Sequence, residues 1–421
     1  MRHLPGLASV LPEGRRGPGP QQGPRRAPDQ GRARGPCQRK GHPVKLQRNG
    51  RSKALAIGAV ALVSSLSLAA CGSDNNNSTG GATASGGASS AAAIACASKQ
   101  ANLLAAGSTA QGNAIDVWKN AYGNACSGTT LNYNGVGSGA GVAQFNQGKV
   151  AFAGTDFALK PTDIDASKAV CQGGQAIDLP MVAGLVSIVF NVDGVSHLTL
   201  DGSTTAKIFN SEITKWNDPA IAALNPGVTL PATDITTFHR SDDSGTTYNL
   251  TSYFGKASNG AWTAAPSKTW QGHGGQSAAG SAGVSSQVKA TKGSIGYVEL
   301  SYAQINGLNS ASINTGASKP VDPTAANAAI TLGSSTVVGT GNDLALQLDY
   351  GTKAENAYPI VLVTYEVACD KGNKADTLDS LKSFLTYAAS DTGQQAISSK
   401  GYVPMPAAVG TKVKAAITSL S

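Results

Sequence analysis

The chain has 421 residues, 33 of them Lys or Arg and 25 Asp or Glu, for a formal net charge of +8. Thirteen of those basic residues lie in residues 1–53, opposed only by Glu13 and Asp29, which leaves 20 basic and 23 acidic residues beyond them. The remainder is mildly acidic, so nucleic-acid and membrane-surface functions that rest on net charge are excluded.

Residues 1–43 are rich in Arg, Gly, Pro and Gln and show almost no apolar periodicity, so they cannot bury enough surface to offset chain entropy. They are expected to be disordered or not translated, with initiation near Val44. A peptide from residues 17–40 in the unprocessed precursor would exclude the second option. Residues 44–70 have the layout of a lipoprotein export signal. Lys45, Arg48, Arg51 and Lys53 precede an apolar run from Ala54 to Ala70, which closes on Leu68-Ala69-Ala70-Cys71. The run is short of the roughly 20 apolar residues of a membrane span. Cys71 is therefore the expected new N-terminus and the site of lipid (palmitate) attachment. Residues 71–93 are mostly Ser, Gly, Ala, Asn and Thr and suit a flexible spacer.

About 328 residues follow, enough for one large domain or two ordinary ones. Their order is strand and helix in alternation. Ile115, Trp118 and Tyr122 fall on one helical face. A strand at 130–133 leads to a glycine-rich turn, Gly135 to Gly141, and then to a short helix with Val142 and Phe145 inward. The strand at 150–154 ends on Thr155-Asp156. Such strand–turn–helix order implies parallel strands with binding groups at their carboxyl ends. Residues 182–192 form a buried-strand candidate, and further strands are expected at 235–238, 294–300 and 360–367. Residues 272–283 read as a loop. Helices are expected at 248–254, at 377–389 with Leu378, Leu381, Phe384 and Leu385 on one face, and near the C-terminus.

Cys37 lies in the leader and Cys71 takes the lipid, leaving Cys96, Cys126, Cys171 and Cys369. An even number in an exported chain points to two disulfides with three possible pairings. Cys96 with Cys126 and Cys171 with Cys369 is the favoured one. None of the four has the close spacing of a zinc knuckle.

Three turns place small hydroxyl residues where a helix begins: Gly107-Ser108-Thr109, Gly137-Ser138-Gly139 and Ser244-Gly245-Thr246-Thr247. Helix starts expose unpaired N–H groups and a positive dipole end, which attract anions. Each turn alone reads equally as an N-cap. Arg240, just past a strand end, can pair with a tetrahedral oxyanion in bidentate fashion. Asp156 beside an anion would repel it unless the anion brings a proton for the carboxylate to accept. Phosphate does so at neutral pH and sulfate does not, which would make Asp156 a filter.

Six pieces in order resemble the phosphate-binding lipoproteins of bacterial phosphate ABC transporters. They begin at Ala106-Gly-Ser-Thr-Ala110, Asn132 to Gly141, Val150 to Asp156, Lys207 to Pro219, Arg240 to Thr247 and Gly293 to Val298. The resemblance implies an α/β, two-lobed periplasmic-binding-protein fold of type II, with mixed, mostly parallel sheets and a two-strand hinge. Lobe I would use residues 94–182 and 360–421, and lobe II residues 183–359. It also implies phosphate contacts from Thr109, Ala110, Ser138, Asp156, Arg240, Ser244, Gly245 and Thr246, with Asp242 orienting Arg240. Ala110 stands where the family often has Phe, which puts the water-tightness of the cleft wall in question. The expected partners are inorganic phosphate and membrane permease subunits. The protein is expected to be a monomer outside the cytoplasm that is not an enzyme and requires no metal, no cofactor and no nucleic acid.

Other readings remain. Gly135-Val-Gly-Ser-Gly-Ala140 with Asp156 imitates a dinucleotide fingerprint, although the intervening helix is short. A sulfate-type oxyanion carrier and a surface adhesin or antigen are also compatible with export. A hydrolase built on Ser244 would need one of His197, His239 or His273 as base, and nothing in the spacing supplies it.

Overall fold

The computed structural model describes residues 93–421. The readings for residues 1–43, the export signal, Cys71 and the spacer up to Ala92 lie outside the described residues. Among the described residues no helix is long and apolar enough to cross a membrane.

A nine-stranded mixed sheet organises the rest. At one end the Leu103–Gly107 strand pairs in parallel with both Leu131–Gly135 and Phe152–Thr155. At the other, Thr236–Arg240 pairs in parallel with Gln276–Ala278 and Ser294–Glu299. Two antiparallel strands join these halves. Val361–Cys369 lies against Phe152–Thr155 on one side and Ala176–Asn191 on the other. The Ala176–Asn191 strand runs through both halves. Its residues up to Leu185 pair with Val361–Cys369, and from Val186 onward it pairs with Ser294–Glu299.

That 16-residue strand is buried except at its last position, and its aliphatic, β-branched composition suits burial on both faces. Pro180 cannot donate to the ladder. It is accommodated because the register shifts there, between Thr364 and Tyr365 of the partner strand, leaving Met181 outside the pairing.

The helices cover the sheet as their apolar spacing requires. Gly112–Ala125 buries Ala114, Ile115, Trp118 and Tyr122, and Trp118 Nε1 donates to the Gly393 carbonyl at 2.8 Å. Val142 and Phe145 pack with Ala106, Ala153 and Val367 in one cluster, while Val284 and Val288 pack with Val189, Phe238 and Val298 in another. Leu381, Phe384 and Leu385 of the Leu378–Ala388 helix are buried, and Leu378 sits at the margin. The C-terminal region contains two further helices, Asp391–Ser398 and Ala407–Ser419.

Two segments differ from expectation. The glycine-rich stretch is helical from Ser138 onward, within Ser138–Asn146. Its glycines serve packing as well as turning: a Cβ on Gly141 would lie 2.4 Å from Gly107 Cα. Residues 272–283 are not wholly loop, since they hold the Gln276–Ala278 strand and the start of the Gly280–Ala290 helix. This is an edge strand, so its Gln, Ser and Ala composition carries none of the apolar signal of a central one.

Cys96 is bonded to Cys126 and Cys171 to Cys369, the favoured pairing.

Candidate functional site

Parallel strands aim their carboxyl ends at one edge. The Leu103–Gly107 and Phe152–Thr155 strands deliver the Ser108-Thr109-Ala110 turn and Asp156, and the turn after Leu131–Gly135 delivers Ser138. Across from them, Thr236–Arg240 delivers Arg240 and the start of the Gly245–Ala257 helix.

Ser138 stands where the halves meet. Its Oγ accepts the amide N–H of Asp156 and that of Gly245, both at 3.2 Å, and donates to Asp156 Oδ2 at 3.3 Å. A Cβ on Gly245 would lie 2.4 Å from Asp156 Cβ and 2.5 Å from Ser138 Oγ, so only glycine allows this approach. Asp156 is 3% exposed. Its Oδ1 accepts from Thr364 Oγ1 at 2.7 Å, and its carbonyl accepts from Asn249 Nδ2 at 2.7 Å. Burial raises the Asp156 pKa above the ordinary carboxylate value, opposed by the Ser108, Thr364 and Ser138 hydroxyls and by the charge of Arg240.

Arg240, also 3% exposed, is held from three sides. Nε donates to Asp242 Oδ1 at 2.8 Å while Nη2 donates to Oδ2, and Nη1 donates to Thr246 Oγ1 at 3.3 Å. Its amide donates to the Tyr297 hydroxyl at 3.0 Å. Burial pushes Asp242 up, but hydrogen bonds and charge from Arg240 outweigh it and hold the carboxyl below its usual range. Asp242 therefore holds the guanidinium as a carboxylate, through both of its oxygens.

The remaining candidates lie in the same region, with roles that differ in detail. Ser244 is the N-cap of the Gly245–Ala257 helix, its Oγ accepting the Thr247 amide at 3.2 Å. His239 stacks on Trp270 and its Nδ1 lies 3.0 Å from the Arg240 carbonyl oxygen, so the Ser244 hydroxyl is engaged as a cap and this histidine elsewhere. Thr109 Oγ1 bridges the halves, accepting the Ser281 amide at 3.0 Å. The Ala110 amide donates to Ser108 Oγ at 3.0 Å, and its carbonyl accepts from the Tyr402 hydroxyl at 2.7 Å. Ala110 is fully buried. Tyr402 and Tyr302, which donates to the Thr109 carbonyl at 2.8 Å, hold this turn by its carbonyl groups.

Thr364, Asn249 and Tyr297 escape notice in the sequence. For Thr364 a signal existed, since a polar residue inside a buried aliphatic strand needs a partner. A cavity of about 390 Å³ adjoins the cluster, lined by Thr109, Tyr133, Asp242, Ser281 and Tyr302. A larger one, about 530 Å³, is lined by Pro180, Met181, Met405 and Val413 and touches none of the candidate ligands. Among the described residues no three His, Cys, Asp or Glu side chains gather as a metal site.

A sheet with facing strand-end turns on either side of one crossing strand defines a two-lobed binding protein, and a family described as the PBP superfamily domain matches residues 77–392. The chain is 42% identical over 369 residues to phosphate-binding protein PstS 3 of Mycobacterium leprae, covering 87% of this chain and 98% of that one. It is 43% identical over 333 residues to phosphate-binding protein PstS 2 of Mycobacterium tuberculosis, covering 78% and 89%. It shares its fold with the solved phosphate-binding protein from Stenotrophomonas maltophilia, at a TM-score of 0.60 and 20% identity over 75% of this chain and 93% of that one. The chain belongs to the PstS family of phosphate-binding proteins.

Proposed function

We propose that this protein captures inorganic phosphate outside the cytoplasm and delivers it to a membrane ABC permease, held to the outer face of the membrane by lipid on Cys71. The observation that carries this reading is the convergence of a hydroxyl, helix-start amides, a buried guanidinium and a buried carboxyl at the junction of the two halves. Residues 94–182 with 360–421 form one lobe and 183–359 the other. Ligand contacts from both lobes stabilise the closed arrangement, so binding and closure are coupled.

Within this reading, Thr109, Ala110, Ser138, Ser244, Gly245 and Thr246 surround the oxyanion. Arg240 balances its charge, and Asp156 accepts its proton. An anion with no proton to give leaves two negative groups facing each other in a dry site.

Calorimetric titration of the full chain carrying Cys71→Ala decides the matter. Phosphate and arsenate should bind and compete, while sulfate and NAD should give no heat. Equal affinity for sulfate would overturn the filter, and heat with NAD alone would favour the nucleotide reading. Asp156→Asn should narrow the preference for phosphate over sulfate by about 10-fold or more, equivalent to about 1.4 kcal/mol.

A further inference from the structure

Behind the first turn runs a line of buried polar groups whose hydrogen bonds have a fixed direction. Tyr133 donates its hydroxyl hydrogen to the Ser108 carbonyl at 2.8 Å, so its oxygen accepts from the next group, Gln111 Nε2, at 3.0 Å. That bond sets the orientation of the Gln111 amide, nitrogen toward Tyr133 and oxygen away. Gln111 precedes the Gly112–Ala125 helix as its N-cap, yet its side chain makes no capping bond. It is fully buried, and its Oε1 lacks a donor.

Glu366 is the group beside it. The Glu366 carboxyl is fully buried and neither of its oxygens has a hydrogen-bond partner; it stands directly opposite Gly154, where an added side chain would run into Gln111 Nε2 and the Tyr133 hydroxyl. It sits two residues past Thr364, whose hydroxyl holds Asp156. The ionisable groups acting on it are Asp156, at the end of the neighbouring strand, and Tyr133. Asp178 of the adjoining strand pairs with Val367 and so points to the opposite face, where it accepts the Leu159 amide. None of these groups is a cation. An ionised Glu366 would thus be an uncompensated buried charge, while Gln111 Oε1 beside it also lacks a donor, which is the costly case. One hydrogen on the carboxyl removes both penalties.

We propose that Glu366 is protonated in the folded protein and donates to Gln111 Oε1, making it a positioning residue at the head of a relay, Glu366 to Gln111 to Tyr133 to the Ser108 carbonyl, that fixes the first anion-binding turn. The inference deepens the phosphate-binding reading and rests on it. Burial pushes Glu366 up to about 8, opposed by the Gln111 side chain and reinforced by the charge of Asp156. The relay is complete below that pH. As pH rises through it the terminal donor is lost and a second negative charge appears near Asp156, and both changes weaken anion binding.

The test compares the full chain carrying Cys71→Ala with its Glu366→Gln and Glu366→Met variants by phosphate calorimetry from about pH 6 to about pH 9.5. Comparison at each pH cancels the titration of phosphate itself. Glu366→Gln supplies an N–H where the carboxyl hydrogen was, so it should match the parent near pH 6.5 and exceed it by about 10-fold at the alkaline end. Glu366→Met cannot donate and should bind about 10-fold more weakly near neutral pH. The parent should also show a carboxylic-acid C=O infrared band at neutral pH that Glu366→Gln lacks. Parallel pH profiles for parent and Glu366→Gln, or no such band difference, would overturn the proposal. A parent that binds no phosphate at all would sink the functional reading instead, while the infrared band would still decide where the proton is. The Glu366→Gln profile and the band decide the question even if Glu366→Met fails to fold.

Discussion

The two halves of the molecule hold their share of the site by different means. The first half carries both disulfides, and it surrounds the junction with hydroxyls and buried acids: Ser108, Ser138, Thr364, Asp156 and Glu366. The second half has no cysteine between residues 183 and 359. It contributes a guanidinium locked to Asp242 and backed by Tyr297, which packs on Trp270 and Phe209. One half thus offers a covalently fastened set of neutral donors and proton acceptors. The other offers one rigid positive charge on an aromatic bed. Under the proposed function, charge balance and proton recognition would be separable properties, each on its own side of the junction.

The largest expected effect concerns the fastening of the first half. Cys171 and Cys369 are 198 residues apart, and Cys96 and Cys126 only 30. If constraint of the unfolded chain dominates, replacing the longer bridge by a pair of alanines should cost about 5 kcal/mol and the shorter about 3.5. Denaturant unfolding of the two variants measures the difference, and the reverse order would show that loop length does not govern it.

Next comes the charge of the second half. Arg240→Ala leaves Asp242 without its partner and the anion without its cation, and should weaken phosphate binding by about 3 kcal/mol. An unchanged affinity would remove Arg240 from the site. The close approach of the halves is tested by Gly245→Ala. Its added methyl meets Asp156 and Ser138, so affinity should fall by about 2 kcal/mol with little loss of thermal stability in the absence of ligand. Equal losses in both measurements would mean that the contact is structural rather than part of closure.

The smallest effect sharpens the contrast by pH. Burial raises Glu299 to about 8, opposed by bonds from Ser301 and Tyr402. A raised folded-state pKa favours the folded protein fully below the ordinary value of 4.5, and the advantage disappears as pH rises through 8. Glu299→Gln should therefore flatten the decline in melting temperature between about pH 5 and pH 9. A decline that persists unchanged would assign it to other groups.

Much of this arrangement was legible in the sequence, where local physics dictates it. The Trp118 face, the long apolar strand and the small-residue turns follow from periodicity and from the needs of a helix start. Arg240 and Asp156 were visible as charges at strand ends. Other features depend on long-range packing. Thr364 and Asp156 are 208 residues apart, and Tyr402 and Ala110 are separated by 292. No local pattern announces such pairs. The edge strand at Gln276–Ala278 was missed because its composition is that of a loop, and only its neighbour makes it a strand. The helical start at Ser138 was obscured by glycines that serve close packing.

The unbroken Ala176–Asn191 strand belongs to both halves of the sheet, so any movement between them must bend that strand like a leaf spring rather than swivel on a slack joint. Its compliant point is the irregularity at Pro180 and Met181, where the Met181 carbonyl is tied by Gln394 Nε2 at 2.9 Å. The stiffness of that spring is thereby connected to the Asp391–Ser398 helix near the C-terminus.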